Sequence, residues 1–183
     1  KIGLEGNDGL ILHEFSVMPG VKEDVCEIVL NVKEIVATMA SEFPTDAVID
    51  VTGPIEVTDS MIKGDGITLL NPEHHIATVE DGCRFRMVLT FEHGFGFVTN
   101  DENRKLHPDC PIGTIFVDSK YTPIRHIGFT VDSVRVDDVS DYEKLTFDVQ
   151  TSGVHKVDEM VVYAAGILAK HFASFTELAP DYF

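Results

Sequence analysis

The sequence is short of cations, short of cysteine and without a long apolar run, and each shortage removes a class of function. Lys and Arg together number 14 against 31 Asp and Glu, a formal charge of −17. A field of that sign repels a phosphate backbone unless a local basic patch overcomes it. The densest basic spot, Arg104-Lys105, is followed by His107 and Asp109. Direct nucleic-acid binding by this chain is therefore disfavoured, whereas a basic protein partner, or plain solubility, suits the charge. The cysteines are Cys26, Cys83 and Cys110, odd in number and never in C-x-x-C spacing. That excludes a disulfide framework and fits a reducing cytosol. No run of ~18 apolar residues is present to span a membrane, and no basic start with an apolar middle marks a signal peptide. The chain starts at Lys1 without a Met and reads as a processed, truncated or partial chain.

Catalytic motifs are missing as well. Neither G-x-x-x-x-G-K-[ST] nor G-x-S-x-G occurs. The stretch HGFGF, residues 93–97, has too few glycines for a dinucleotide fingerprint and reads as a strand end or bulge. His107, Asp109 and Cys110 lie close together, yet no second ligand pair stands at a matching spacing. His74 and His75 are adjacent on an expected strand edge, so they point to opposite faces and do not chelate together. His13-Glu14 lacks the second histidine four residues on that a zinc-binding helix requires. The expectation is no catalytic residue, no metal and no cofactor in this chain.

What is present is pattern. With 183 residues the chain can build one core or two small domains. Residues 1–9 are glycine-rich and turn-like, and SVMPG (16–20) is a turn leading into a helix. In that helix Val21, Val25, Ile28, Val32 and Ile35 step by four and three, one narrow apolar stripe. Cys26, Leu30 and Ala37 fall on the far side, either as scattered surface apolars or as a second contact face. From about residue 47 the period turns to two: 48–53, 67–70, 75–79, 84–92 and 112–119 are expected strands, with 100–111 a polar loop. Beyond Pro123 two longer strands are expected to pair antiparallel. The first shifts parity near Asp132-Ser133, the mark of a bulge. A helix over 158–178 closes the chain, with Asp158 as its expected N-cap. Its stripe of Val161, Ala165, Leu168, Phe172 and Phe175 is joined by a second sector of Met160, Tyr163, Ile167 and Leu178. A helix so apolar around its girth needs cover on two sides: its own sheet can supply one, and the other asks for another helix, either from this chain or from a second copy.

Five blocks stand in order: LHEFSVMPGVKEDVCEIVLNVKEI, LNPEHHIATVEDG, PIGTIFVDSKYTPIRHIGFTVDSVRV, SDYEKLTFDVQTSG and AAGILAKHFASF. Together they resemble the N-terminal domain of the bacterial RNA polymerase alpha subunit, from about Leu10 to Phe175. The resemblance implies an α+β fold of two parts after a poorly matching lead-in, 1–9. A β-rich insert subdomain spans 10–121, and a partial α+β dimerisation subdomain with a long C-terminal helix spans 122–183. It implies a cytoplasmic assembly subunit of DNA-directed RNA polymerase, a nucleotidyltransferase complex, in a bacterial cytosol or a plastid. Such a subunit is not itself catalytic. It forms a homodimer and a platform for the beta and beta-prime subunits in transcription, with no direct nucleic-acid or membrane contact through this chain.

Carried over by motif, His13, Glu14, Phe15, Gly20, Val21 and Asp24 belong to one large-subunit surface. Tyr121, Pro123, Arg125, Asp141 and Lys144 belong to another. Met160, Val161, Tyr163, Ala165, Ile167, Leu168, Phe172 and Phe175 line the dimerisation helix. The chain departs from the family in three ways. It is expected to lack the family's preceding segment, with its first strands and Arg-containing helix. It is likewise expected to lack the linker and DNA-binding C-terminal domain. It carries His93 and Phe95 where arginine is common. A diverged, free-standing protein-binding module on the insert-domain fold is the alternative reading, and a metal-dependent enzyme using His107 and Cys110 is the third.

Overall fold

Phe85, Met87 and Leu89, alternating with Arg84, Arg86 and Val88, build the strand at the centre of the fold. In the computed structural model, which describes residues 1–136 and 139–178, the chain divides into two units, residues 1–122 and 123–183. The first contains β1 (Ile2–Gly6), β2 (Gly9–Leu10), α1 (Val25–Lys33), β3 (Ala37–Met39), β4 (Thr45–Thr52), β5 (Ile55–Thr58) and β6 (Ile67–Leu69). It continues with β7 (His75–Val79), β8 (Arg84–Phe91), β9 (Phe97–Val98), α2 (Asn100–Leu106), β10 (Thr114–Ile115) and β11 (Ser119–Lys120). The second contains β12 (Ile124–Val136), β13 (Val139–Thr151) and α3 (Val157–Leu178). The fold class is α+β, as the sequence led one to expect.

In the first unit the main sheet runs β10-β1-β8-β4, with β2 on the free end of β1. All its pairings are antiparallel, so residues in register share a face. Ile2 and Ala47 flank Leu89, while Leu4 and Ile49 flank Met87, and all six are buried. On the opposite face Arg84 grips Asp50 through two hydrogen bonds of 2.8 and 3.1 Å, and Arg86 reaches Glu5 at 3.1 Å. Val25, Ile28 and Val29 of α1 join the core with Met18, Val57, Ile76 and Val79. Each fully buried aliphatic side chain is worth roughly 1.5–3 kcal/mol, so this core carries the unit.

Several local expectations are corrected. The lead-in is not a turn: Ile2–Gly6 is a central strand, because Ile2 and Leu4 alternate with Gly3 and Glu5. α1 is shorter than its apolar stripe. Asp24 caps it by accepting the Glu27 amide at 2.8 Å, and Val21, ahead of the cap, bridges instead to Val79. Residues 100–106 are helical rather than loop. Thr99 and Glu102 form a reciprocal capping box, a sequence signal that outweighs the lack of apolar periodicity. Of 112–119 only Thr114–Ile115 and the start of β11 are strand.

The second unit is an antiparallel pair of thirteen-residue strands and one helix. Its register is unbroken at Asp132 and Ser133. The shifts lie between Ile124 and His126 and between Val134 and Val136. The helix begins at Val157, so Asp158 sits inside the first turn and not at the cap, still favourable to the helix dipole. No side chain described in this unit is fully buried. No helix among the described residues is long and apolar enough to cross a membrane.

Candidate functional site

The chain leaves β2 through a loop that turns apolar side chains outward. Met18 is its buried anchor, while Phe15 is 77% and Val17 75% exposed. The Ser16 amide donates to His13 O at 3.1 Å, and the Ser16 hydroxyl lies 3.3 Å from His13 Nδ1. The thiol of Cys26 donates to Glu14 O at 3.1 Å, tying the loop to α1, whereas Leu30 of α1 stays exposed. His13 and Glu14 thus shape a turn, with no reactive partner beside either in these contacts. Phe15 is the apolar residue that they present, its ring 6.5 Å from that of His13.

Gly20, Val21 and Asp24 serve this loop from behind. Gly20 has φ +80°, and a Cβ there would overlap the Cys83 sulfur, so only glycine fits. The Lys22 amide donates to Thr78 O at 3.0 Å and the Glu80 amide to Gly20 O at 2.8 Å. Glu23, which is not among the expected site residues, is the hub. Its carboxylate accepts the Thr78 amide at 2.6 Å, the Thr78 hydroxyl at 3.0 Å and His75 Nε2 at 2.9 Å. Burial opposes its charge, but the Thr78 amide and His75 outweigh it and hold the carboxyl below its ordinary range. The other ring nitrogen of His75 faces Glu56 at 3.0 Å, and His74 turns the opposite way to Asn31 O at 2.8 Å. Acidic residues are so common in this chain that no sequence signal marked Glu23 as a site residue.

Tyr121 stands elsewhere in the unit, beside the end of β8. Its hydroxyl donates to Glu92 at 3.2 Å and its ring fills the space over Gly94, where a Cβ would collide with it. Burial pushes its phenol upward. His107 Nε2 faces the other oxygen of Glu92 at 3.3 Å. Among the described residues no group of three His, Cys, Asp or Glu side chains could hold a metal.

In the second unit Pro123 O accepts the Ser152 amide at 2.8 Å, joining the start of β12 to the end of β13. Arg125 sits at the register shift and is exposed. Lys144, also exposed, lies opposite Asp132, and the Asp141 side chain is outside the described residues. Sequence reasoning overlooked the face between them as a surface. Ile127 pairs with Val149, Phe129 with Phe147 and Val131 with Leu145, an apolar row in which Phe129 is 70% exposed. Period two reveals that one face is apolar, but not whether anything lies on it.

On α3, Val161, Tyr163, Ala165, Ile167, Leu168, Phe172 and Phe175 are all exposed and Met160 is half-buried. Leu178 has a side chain outside the described residues. The expectation that the unit's own sheet covers one side is therefore corrected. α3 touches β13, but a two-stranded ribbon is too narrow to bury a helix of 22 residues.

The family model for the RNA polymerase Rpb3/RpoA insert domain matches residues 1–122. The DNA-directed RNA polymerase subunit alpha of Clostridium botulinum strain Eklund 17B is 44% identical over 169 residues, 92% of this chain and 53% of that protein. The subunit of the same name from Clostridium beijerinckii is 44% identical over 172 residues, 93% of this chain and 54% of that protein. That from Limosilactobacillus reuteri is 44% identical over 169 residues, 92% and 54% respectively. The chain thus spans about half the length of these relatives.

Proposed function

The chain belongs to the RNA polymerase Rpb3/RpoA insert-domain family, and we propose that it serves as a non-catalytic assembly segment of DNA-directed RNA polymerase. In this reading residues 1–122 are the insert subdomain. The second unit contributes to a homodimer, and the two together form a platform for the beta and beta-prime subunits in the bacterial cytoplasm. The observation that carries the reading is the 44% identity to RNA polymerase alpha subunits over nine-tenths of the chain, across both units. The physical arrangement supports it. The second unit has an apolar helix and an apolar strand face, with none of its described side chains buried, a surface of the kind that subunit assembly covers. The loop from His13 to Asp24 presents Phe15 on a braced turn, and Arg125 and Lys144 offer cations on an otherwise acidic chain.

Co-expression of the chain with the two large subunits, followed by affinity capture and sizing, tests this. The expected result is retention of at least one large subunit, together with a dimeric mass for the chain. Capture of neither overturns the reading.

A further inference from the structure

We infer that Glu23, His75 and Glu56 form a proton-dependent clamp that fixes the turn before α1 to β7, closed while the His75 ring carries both protons and loosened when it loses one. The inference stands on hydrogen-bond geometry and does not depend on what docks on the loop.

His75 Nε2 lies 2.9 Å from Glu23 Oε1 and Nδ1 lies 3.0 Å from Glu56 Oε1. An ionised carboxylate only accepts, and a neutral imidazole has a single N–H. A neutral ring therefore sets one lone pair against a carboxylate oxygen at hydrogen-bond distance. The imidazolium donates to both, with each bond strengthened by charge. The charged groups facing the ring are Glu56 from β5 and Glu23 from the turn before α1. On β7 itself the neighbouring His74 is committed to Asn31 O on the other side. Among the described residues no Lys or Arg forms an ion pair with either carboxylate, so only a protonated His75 ring supplies them with a cation.

The clamp has something to hold. Glu23 also carries both Thr78 bonds, and its neighbours Gly20 and Lys22 make the backbone bonds that add this turn to the edge of β7. Asp24, next in sequence, starts α1. Loss of one His75 proton thus acts on a turn that sets both the first residue of the helix and the exposed Phe15–Val17 loop. Glu56 is well exposed, so replacing it leaves the core untouched.

Hydrogen exchange followed by NMR on the whole chain, corrected for intrinsic rates, reads the clamp directly. Between about pH 6 and about pH 8, protection of the Lys22 and Thr78 amides is expected to fall about fivefold, the difference between a charge-assisted and a neutral hydrogen bond. The Leu89 amide in β8 is expected to keep its protection. Glu56→Gln offers an amide that either accepts or donates, so it suits a neutral ring. This variant is expected to retain protection and lose its pH dependence. Ring nitrogen shifts at the lower pH are expected to show two protonated nitrogens on His75. The inference is overturned by any of three results: a flat profile in the unaltered chain, the same slope in Glu56→Gln, or a single ring proton at about pH 6.

Discussion

Asp59 shows how much a single residue can hide. It opens a short 3-10 turn after β5, where its amide donates to His74 O and its carbonyl accepts the Ile62 amide, both at 3.0 Å. Its side chain is fully buried, and among the described residues neither carboxylate oxygen has a hydrogen-bond partner. Burial pushes this carboxyl up to about 6, with His74 pulling slightly back. The folded chain therefore holds a proton that the unfolded chain releases, and stability falls as pH rises from about 4 through about 6. The shift corresponds to a loss of about 3 kcal/mol by neutral pH. Asp59→Asn cannot ionise, so urea unfolding should find its advantage over the unaltered chain growing between pH 4 and pH 7 by up to about that amount. A constant difference across this range would refute the assignment. Among 31 acidic residues nothing in the sequence singled out Asp59, because burial of a carboxylate depends on what folds over it.

At the scale of the element, legibility followed how each helix is specified. The apolar stripe of α1 was plain from Val25 and Ile28, since a face buried by the same chain writes its own period. Its start was misplaced because Val21 has the right spacing but serves a strand edge, while Asp24 takes the cap. α2 escaped notice because a polar helix held by a capping box has no stripe to show. Two substitutions follow from these assignments. Asp24→Ala removes the acceptor of the Glu27 amide and should cost about 1 kcal/mol in urea unfolding, whereas Asp24→Ser should retain most of it. Equal losses would mean that the aspartate acts through its charge and not as a cap. On α3, Leu168 is 59% exposed, so Leu168→Asp should shift the sedimentation profile from dimer to monomer and lower the helical circular dichroism with it, while the core of residues 1–122 keeps its own unfolding transition. A charge on an apolar contact is costly only where the contact exists. An unchanged association state would remove this face from the dimer.

At the scale of the molecule the two units differ in kind. Residues 1–122 bury an apolar cluster between sheet and helix. Residues 123–183 expose Ile127, Phe129, Leu145 and Phe147 on the strands and Val162, Leu168 and Phe172 on the helix. Isolated two-stranded ribbons are marginal in water, and a helix contributes stability mainly by burying a face. The second unit should therefore take its stability from association, while the first carries its own. The sequence displayed the apolar pattern of both units and marked α3 as needing cover on two sides, but the strand faces of the second unit carry the same period as strands that their own chain covers, so their exposure was not legible. Native-state hydrogen exchange at increasing protein concentration separates the two cases. If a second copy covers the second unit, amide protection in β12 and β13 should rise with concentration, since binding stabilises the bound element by mass action. The β8 amides should hold constant, and Leu168→Asp should abolish the rise. Protection in β12 and β13 that is high and independent of concentration would show that the unit is stable alone, and the role proposed for its exposed faces would then be wrong.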